Sequence, residues 1–254
     1  MNAGTAFYTI VTKEIRRFFR IWLQTILPPM ITTALYFIIF GQLIGSQLSA
    51  IAGYTYMDYI VPGLILMAVI TNSYGNVVSS FYGAKFSHYI EELLIAPIPN
   101  ALILAGYITG GLARGLTVGL VVTLVAGLFA DLHVHNLAVV LSVVVLTSIL
   151  FSLGGFINAI YAKSFDDISI IPTFVLTPLT YLGGIFYSID MLPPFWRELS
   201  LFNPILYMVN AFRYGLLGVS DIPLATAFGV TLLFIALLAA YALWLLHRGV
   251  GLKH

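Results

Sequence analysis

The sequence predicts an all-α integral membrane protein, a single domain over residues 1–254 with six transmembrane helices, and three observations support this fold class. Of the 254 residues, 60% are hydrophobic and only 8% are charged, whereas soluble domains carry about 25% charged residues. The apolar residues form long runs, most of them near the ~20 residues that cross a bilayer core. Basic residues are concentrated in alternate connections between these runs, as is typical of multi-pass membrane proteins.

The first element, residues 5–20, is predicted to be an amphipathic helix that lies in the membrane interface. Basic residues with helical spacing share one face: Lys13, Arg16, Arg17 and Arg20. The other face is apolar: Phe7, Val11, Ile15, Phe18, Phe19 and Trp22. We expect the basic face to contact anionic lipid head groups.

Six apolar runs are interpreted as membrane spans: 23–44, 59–81, 101–130, 137–161, 168–189 and 224–246. The third is too long for a straight crossing, because about 30 helical residues measure ~45 Å and a bilayer core only ~30 Å. We therefore expect its first third to extend beyond the core. That would place Arg114, the one charge within an apolar run, near the cytoplasmic surface, where it can snorkel. The alternative is contact with a substrate or a lipid phosphate.

Small residues in the third span predict a close helix contact. Gly111, Gly115 and Gly119 recur at every fourth position. This spacing forms a smooth stripe along one helix face, which lets another helix approach closely. Packing is therefore expected here rather than a hinge.

The basic residues also predict the orientation, because six spans leave both termini on one side. The opposite side holds Arg197 and Arg213. The side of the termini holds eight basic residues: Lys13, Arg16, Arg17, Arg20, Lys85, Lys163, Arg248 and Lys253. Connections rich in lysine and arginine stay in the cytoplasm. Both termini and the connections 83–100 and 162–167 are therefore expected to be cytoplasmic.

The connection between the second and third spans contains a predicted short helix within residues 84–99. Its apolar residues have the spacing of an amphipathic helix: Phe86, Ile90, Leu93 and Leu94. Ser87 can cap its start, Glu91 and Glu92 make it acidic, and Pro97 and Pro99 end it. A separate protein could bind this helix from the cytoplasm, or the helix could rest on lipid head groups. The pattern alone leaves both open.

The last outer connection, residues 190–223, is too apolar for a free loop. Two segments bounded by proline are visible within it, 194–201 and 204–217. We expect both to re-enter the outer leaflet as short helices that are covered by protein, so that their backbone ends are satisfied.

Two spans carry uncharged polar residues along one face. The second span has Asn72, Asn76, Ser79 and Ser80. The fifth has Thr173, Thr177, Thr180, Tyr181 and Gly184. Such stripes either bond to a neighbouring helix or line a wet path, and both interpretations stay open. As a path they suit an amphipathic or apolar cargo, with Asn72, Asn76, Ser79, Thr173, Thr177, Thr180 and Tyr181 as candidate lining residues.

Several kinds of chemistry are excluded by what the sequence lacks. It has no phosphate-binding GxxxxGK[ST] motif, no clustered metal ligands, no cysteine and no constellation of catalytic residues, and its net charge of +1 argues against nucleic acid as a partner. No Asp, Glu, Lys or His lies in the middle of a span, which weakens an ion-driven carrier or a passive channel as the alternative function. Energy for directional transport would then have to enter from outside the membrane.

Five segments together resemble the ABC-2-type permease family, and within it the small bacterial inner-membrane permeases. They are RFFRIWLQTILPP, YIVPGLILMAVITNSYGNVVSSF, EELLIAPIP, AKSFDDISIIPTFVLTPLTYLGGIFYS and MLPPFWRELSLFNPILYMVNAFRYGLLG. The resemblance covers nearly the whole chain. It implies a connecting helix at the N-terminus, a cytoplasmic coupling helix and re-entrant outer helices before the last span.

The resemblance also implies partners and a mechanism. Two permease chains would pair, and two copies of a separate cytoplasmic ATPase would bind ATP and Mg²⁺, so the chain itself would be neither an enzyme nor a cofactor-binding protein. The cavity would lie between the permeases, flanked by spans two and five. The expected residues of the coupling helix are Phe86, Ile90, Glu91, Glu92, Leu93 and Leu94. Members of the family move drugs, lipids, polysaccharides or lipo-oligosaccharides, and the resemblance does not identify the cargo.

Overall fold

The structure is a computed structural model that describes residues 3–47 and 50–251, without the side chains of Gln42 and Ser46, and it is all-α. Lys253, which was counted for the orientation, lies outside the described residues. Within the described residues, five helices are long and apolar enough to cross a membrane: Trp22–Gly41, Tyr56–Phe86, Asn100–Ala126, Leu137–Tyr161 and Leu224–Arg248.

Helix α1 (Ala3–Arg20) packs on the bundle instead of only resting on lipid. Its buried residues are Ala6, Ile10, Glu14 and Phe18. They face α5 (Asn100–Ala126), where a Cβ atom at Gly106 would lie 2.9 Å from Ile10 Cβ. The predicted division of α1 into a basic lipid-facing side and an apolar side is therefore partly wrong. Arg16 and Arg20 are exposed, whereas Lys13 and Arg17 are partly buried against neighbouring helices.

Helix α2 (Trp22–Tyr36) continues as a π-helical segment, Phe37–Ile44, and a short 3₁₀ turn, Gly45–Gln47. The predicted span 23–44 is thus helical throughout. Pro28 and Pro29 lie inside the helix, where each removes a backbone donor and loosens the local packing. Most of α2 is exposed, so it lies at the edge of the bundle.

Helix α3 (Tyr56–Phe86) forms the centre of the bundle, and most of its side chains are buried. Thr55 caps its first turn by accepting a hydrogen bond from the Asp58 backbone N–H at 3.2 Å. Helix α5 runs antiparallel to α3 on one side, and α6 (Leu137–Tyr161) runs parallel to it on the other. The three helices meet along small residues: a Cβ atom at Gly155 would lie 2.5 Å from the Tyr74 carbonyl oxygen.

The glycine stripe of α5 lies in this contact, which confirms its predicted packing role. Cβ atoms added at Gly111 and Gly115 would lie 2.2 Å and 2.1 Å from the hydroxyls of Ser152 and Ser73. The predicted boundary of the span is wrong, however, because α5 ends at Ala126 and residues 127–130 form a turn. The helix has 27 residues, and Arg114 lies near its centre. Arg114 therefore does not lie at an end of this helix, where a position near the membrane surface was expected.

The predicted fifth span, 168–189, is not one continuous helix. It begins as α7 (Asp167–Ile171), continues as a π-helical turn (Pro172–Leu176) and ends as α8 (Thr177–Tyr181). Two prolines, Pro172 and Pro178, remove backbone donors from this segment, so regular α-helical bonding cannot be maintained. After Tyr181 the chain turns, and Gly184 has a left-handed φ of 70°.

This segment nevertheless extends along most of the bundle. Asn158 Nδ2 donates to the Ile168 carbonyl at 3.2 Å, near the end of α6. That end is level with the end of α3, because Lys85 Nζ donates to the Ile160 carbonyl at 2.6 Å. At the opposite end, Ile185 packs on Gly63 near the start of α3. The two contacts are separated by about 20 helical residues, or ~30 Å.

The last connection forms α9 (Pro194–Leu201) and α10 (Pro204–Leu217) before α11 (Leu224–Arg248), as the proline boundaries predicted. Helix α10 packs against the N-terminal halves of α3 and α6. Its Arg213 is fully buried, stacks on the Tyr59 ring at 4.0 Å and donates to the Gly184 carbonyl at 2.5 Å. Helix α9 is not covered as expected, since Phe195 and Trp196 are exposed on it.

Candidate functional site

A buried carboxylate lies where α1 crosses α3 and α5. Glu14 has no exposed surface, and a Cβ atom at Gly110 would lie 2.5 Å from Glu14 Cβ, so only a glycine permits this approach. Ser80 of α3 donates its hydroxyl to Glu14 Oε1 at 2.6 Å. Charged groups are rare and costly inside lipid. This carboxylate is instead held by three helices.

Arg17 provides the countercharge and joins α1 to the polar stripe of α3. Its Nε lies 3.6 Å from Glu14 Oε2. Its Nη2 donates at 2.8 Å to both the side-chain and the backbone oxygen of Asn76, and its Nη1 reaches the Ser79 hydroxyl at 3.4 Å. The three polar residues Asn76, Ser79 and Ser80 therefore bond to a neighbouring helix, which is the first of the two interpretations of the α3 stripe. We call Lys13, Glu14, Arg17, Asn76 and Ser80 the Glu14 cluster.

Lys13 connects this cluster to the short helix that follows α3. Its ammonium lies 4.7 Å from the centre of the Tyr89 ring and 5.4 Å from that of Tyr107. Burial lowers the pKa of Lys13, because desolvation disfavours the ammonium, and the neighbouring Glu14 carboxylate opposes this shift. Tyr89 is the first residue of α4 (Tyr89–Ile95), so α1 contacts α4 directly.

A tight turn precedes α4, and it differs from the prediction. Ser87 does not cap α4; it closes the end of α3, where its hydroxyl donates to the Gly83 carbonyl at 2.8 Å. His88 then adopts a left-handed φ of 59°, and its Nδ1 lies 2.9 Å from Glu91 Oε1. The predicted helix over 84–99 is thus three parts: the end of α3, this turn, and seven residues of α4.

The predicted residues of the coupling helix divide into two groups. Ile90 and Leu93 are buried, and Leu94 is partly buried against the same core. Glu91 and Glu92 are exposed. The sequence interpretation missed Ile95, whose side chain is 84% exposed. Ile95 follows Leu93 and Leu94 in an apolar run, and the short helix turns its side chain outward.

The neighbouring connection, residues 162–167, lies beside the same end of the bundle. The exposed Phe86 ring packs 5.0 Å from Phe165 of this connection. Asp167 accepts hydrogen bonds from the backbone N–H groups of Lys163 and Ser164 at 2.8 Å and 3.1 Å. These bonds hold the pKa of Asp167 below its usual value, because they stabilise the carboxylate. The connection is therefore an ordered turn that adjoins α4.

A cavity of about 320 Å³ lies between α2, α3 and α5, and we call it the Arg114 cavity. Asn72 and Arg114 line it together, and Arg114 Nη2 donates to Asn72 Oδ1 at 3.1 Å. The rest of the lining combines apolar and hydroxyl side chains: Gln24, Thr25, Pro28, Pro29, Thr32, Thr33, Tyr36, Leu64, Met67, Ala68 and Thr71. An arginine at the centre of a membrane helix costs about 2.5–3.5 kcal/mol, so this position demands an explanation.

The polar stripe of the fifth segment lies next to this cavity but only in part faces it. Tyr181 Oη lies 3.3 Å from Tyr36 Oη, which lines the Arg114 cavity. Thr173 and Thr177 are exposed on the surface of the chain. Thr180 is buried and donates to the Leu176 carbonyl at 2.6 Å. The structure thus brings Asn72 and Tyr181 to one region, and it places Asn76 and Thr180 inside helix contacts.

Glu14 is a buried charged residue that the sequence interpretation missed. The pattern of α1 was judged by its basic residues, and Glu14 lies between two of them. Two signals could have identified it. Ala6, Ile10, Glu14 and Phe18 recur at every fourth position, and so do Gly106 and Gly110. A stripe of larger side chains on one helix and a stripe of glycines on another predict that the two helices cross closely.

Removing the charge of Glu14 should destabilise the bundle through Arg17. In Glu14→Gln the guanidinium of Arg17 loses its ion partner while remaining largely buried. Breaking a buried pair costs about 3–5 kcal/mol, and because the Arg17 side chain is 28% exposed, we expect about 2 kcal/mol. The double variant Glu14→Gln/Arg17→Gln should recover part of this loss.

Thermal unfolding of the purified proteins in detergent compares the stability of the unaltered protein with those of Glu14→Gln and the double variant. Arg20→Gln is the matched control, since Arg20 is exposed on the same helix and its loss should leave the melting temperature unchanged. A double variant that melts below Glu14→Gln would contradict the pairing of these two charges.

Comparison with known proteins places these features in a family. The model of the ABC-2 type transporter family matches residues 5–217. Inner membrane transport permease YadH of Escherichia coli (strain K12) is 57% identical over 248 residues, which cover 98% of this chain and 97% of YadH; YadH of Shigella flexneri matches equally well. Nodulation protein J of Rhizobium leguminosarum bv. viciae is 22% identical over 197 residues, 77% of this chain and 76% of that protein.

These matches confirm the family that the quoted segments predicted, and with it the location in a bacterial inner membrane. Membership implies an ABC ATPase as partner, and the permease is not itself catalytic. Because the family match covers residues 5–217 and YadH is 57% identical over nearly its whole length, this chain belongs to the ABC-2 type transporter family as a membrane permease.

Proposed function

We propose that the chain is the permease of an exporter for an amphipathic cargo, of the lipid, drug or glycan kind. Two copies would form a homodimer, and each would bind one of two cytoplasmic ABC ATPase chains. The observation that carries the proposal is the Arg114 cavity, which combines one cationic end with apolar walls at the depth of the bundle centre. A site of this composition suits a molecule with a polar head and an apolar body.

The proposed topology has six crossings, with both termini in the cytoplasm. The five helices that are long and apolar enough to cross a membrane would supply five crossings. The broken segment from α7 to Gly184 would supply the sixth, since its contacts extend over ~30 Å of the bundle. An even number of crossings returns both termini to one side. The excess of basic residues on that side supports a cytoplasmic location, and α10 would then lie within the outer leaflet.

The proposed route for mechanical work begins at α4. ATP-driven movement of the ATPase would displace the exposed face of α4, which carries Glu91, Glu92 and Ile95. Tyr89 transmits this displacement to Lys13, and the Glu14 cluster transmits it to α3. Asn76 of the cluster and Asn72 of the cavity lie one turn apart on α3. A shift of α3 at the cluster therefore changes the cavity.

An ion-driven carrier or a passive channel is the alternative function. It would need a titratable residue within the spans or a continuous polar pore. Three of the four polar residues on the α3 stripe are engaged with α1, which leaves little for a pore. Reconstitution separates the two functions: uphill movement that requires the ATPase and ATP supports the exporter, whereas flux through the permease alone supports the alternative.

Ile95→Asp should weaken the complex with the ATPase. Burial of an isoleucine contributes about 1.5–3 kcal/mol, so its loss should weaken binding about 10- to 100-fold. Leu128→Asp is a matched control, because Leu128 is 82% exposed compared with 84% for Ile95, but it lies in the turn after α5 at the opposite end. Titration of the purified permease with the ATPase measures both affinities. Equal affinities of the two variants would show that α4 is not the docking helix.

The homodimer can be tested by cross-linking, since the chain has no cysteine. Phe174, 73% exposed, lies beside Thr173 and Thr177 on the surface that we assign to the second copy. We expect Phe174→Cys to give a covalent dimer in membranes with a short bismaleimide. Leu233→Cys, on an exposed position of α11, should remain monomeric. A covalent dimer formed by Leu233→Cys but not by Phe174→Cys would contradict the proposal, because the interface would then lie on the surface of α11.

A further inference from the structure

We propose that the Arg114 cavity binds the anionic head group of an amphipathic molecule, a phosphate or carboxylate, through the guanidinium of Arg114. The inference deepens the proposed function, because it assigns a charge to the cargo, and it relies on that function only for the transport step. Binding itself requires neither ATP nor the ATPase.

The first argument is the charge balance around the cavity. Within residues 3–47 and 50–251, no carboxylate lies within 4.0 Å of Arg114; the recorded partner is the neutral amide of Asn72. Arg17 is bound to Asn76, one helical turn (~5.4 Å) along α3 from Asn72. Glu14 pairs with Arg17. Glu14 is thus already paired with two cationic side chains, and the positive charge of Arg114 remains unbalanced.

The second argument is the unused hydrogen-bonding capacity of Arg114. A guanidinium has five N–H donors and no acceptor. One nitrogen, Nη2, donates to Asn72, and the buried Nε has no hydrogen-bond partner. A buried donor without a partner is costly. The planar fork of arginine matches the two oxygens of a carboxylate or phosphate, so an anion would satisfy both the charge and the donors.

The third argument is the character of the remaining walls. Leu64, Met67 and Ala68 present apolar surface to the cavity. The hydroxyl of Thr71 already donates to the Met67 carbonyl at 2.9 Å, and that of Thr25 to the Phe18 carbonyl at 3.4 Å. These walls suit an alkyl chain and offer no competing charge. A small inorganic ion would leave them without contact, which favours an amphipathic ligand over a free anion.

Ligand-dependent thermal stability tests this inference on the full chain in nanodiscs of phosphatidylcholine. The probes are dodecyl phosphate, the zwitterionic dodecylphosphocholine with the same chain length, and inorganic phosphate. Because a ligand that binds the folded state raises the melting temperature, titration gives a Kd for each. We expect dodecyl phosphate to bind about tenfold or more tightly than either other probe, as a charge-assisted contact implies.

Variants identify the group responsible. Arg114→Gln should remove the preference for dodecyl phosphate, Arg114→Lys should keep part of it, and the exposed control Arg20→Gln should keep all of it. Asn72→Ala removes the protein acceptor of Arg114, so dodecyl phosphate should bind at least as tightly as to the unaltered protein, and this variant keeps the test valid if Arg114→Gln fails to fold.

Three outcomes would overturn the inference. The first is equal binding of dodecyl phosphate and dodecylphosphocholine to the unaltered protein. The second is an unchanged preference in Arg114→Gln. The third is inorganic phosphate binding as tightly as dodecyl phosphate, which would indicate a simple anion site. A failure of ATP-driven transport, by contrast, would leave these affinities unchanged and would count against the proposed function alone.

Discussion

A buried carboxylate in a membrane helix bundle is the constraint on which the rest of this structure depends. Glu14 has no exposed surface, and a bilayer provides no water to solvate it. Ser80, Arg17 and Lys13 must therefore surround it, and Gly110 must leave room for it. These requirements fix α1 against α3 and α5. What the sequence pattern describes as an interfacial helix is thus a structural part of the bundle, held by charge as well as by apolar contact.

This constraint also relates the end of the bundle that carries α4 to its centre. Lys13 contacts Tyr89 at the start of α4, and Arg17 contacts Asn76 on α3. One turn further along α3, Asn72 holds Arg114 in the cavity. Polar groups that are costly in lipid thereby lie in series from α4 to the cavity, with one turn of α3 between Asn76 and Asn72. In our proposal the ATPase acts on one end of this series and the cargo occupies the other, so coupling needs no titratable residue within the spans.

Much of the fold follows from the sequence because lipid imposes simple rules on length and composition. The long apolar runs and the proline-bounded outer segments predicted α6, α9, α10 and α11 within two residues, whereas α3 begins three residues before and ends five residues after the predicted span. The predicted fifth span is a broken segment, because Pro172 and Pro178 remove backbone donors, and composition alone does not reveal its π-helical turn. Arg114 was placed near the surface because α5 was thought too long for the membrane. In the structure α5 has 27 residues, and Arg114 lies near its centre. Of the predicted path residues, Asn72 lines the Arg114 cavity and Tyr181 lies beside it. The burial of Glu14 and the exposure of Ile95 could not be predicted, because they depend on how the helices pack.

The central claim is that the Glu14 cluster carries movement of α4 into α3, through the contact of Lys13 with Tyr89. Tyr89→Ala removes this contact at the first residue of α4. The variant would be reconstituted with the ATPase, and ATPase binding, ATP hydrolysis and transport compared with those of the unaltered permease. The account predicts unchanged ATPase binding but a loss of transport for each ATP hydrolysed. Transport at the unaltered rate per ATP would contradict it.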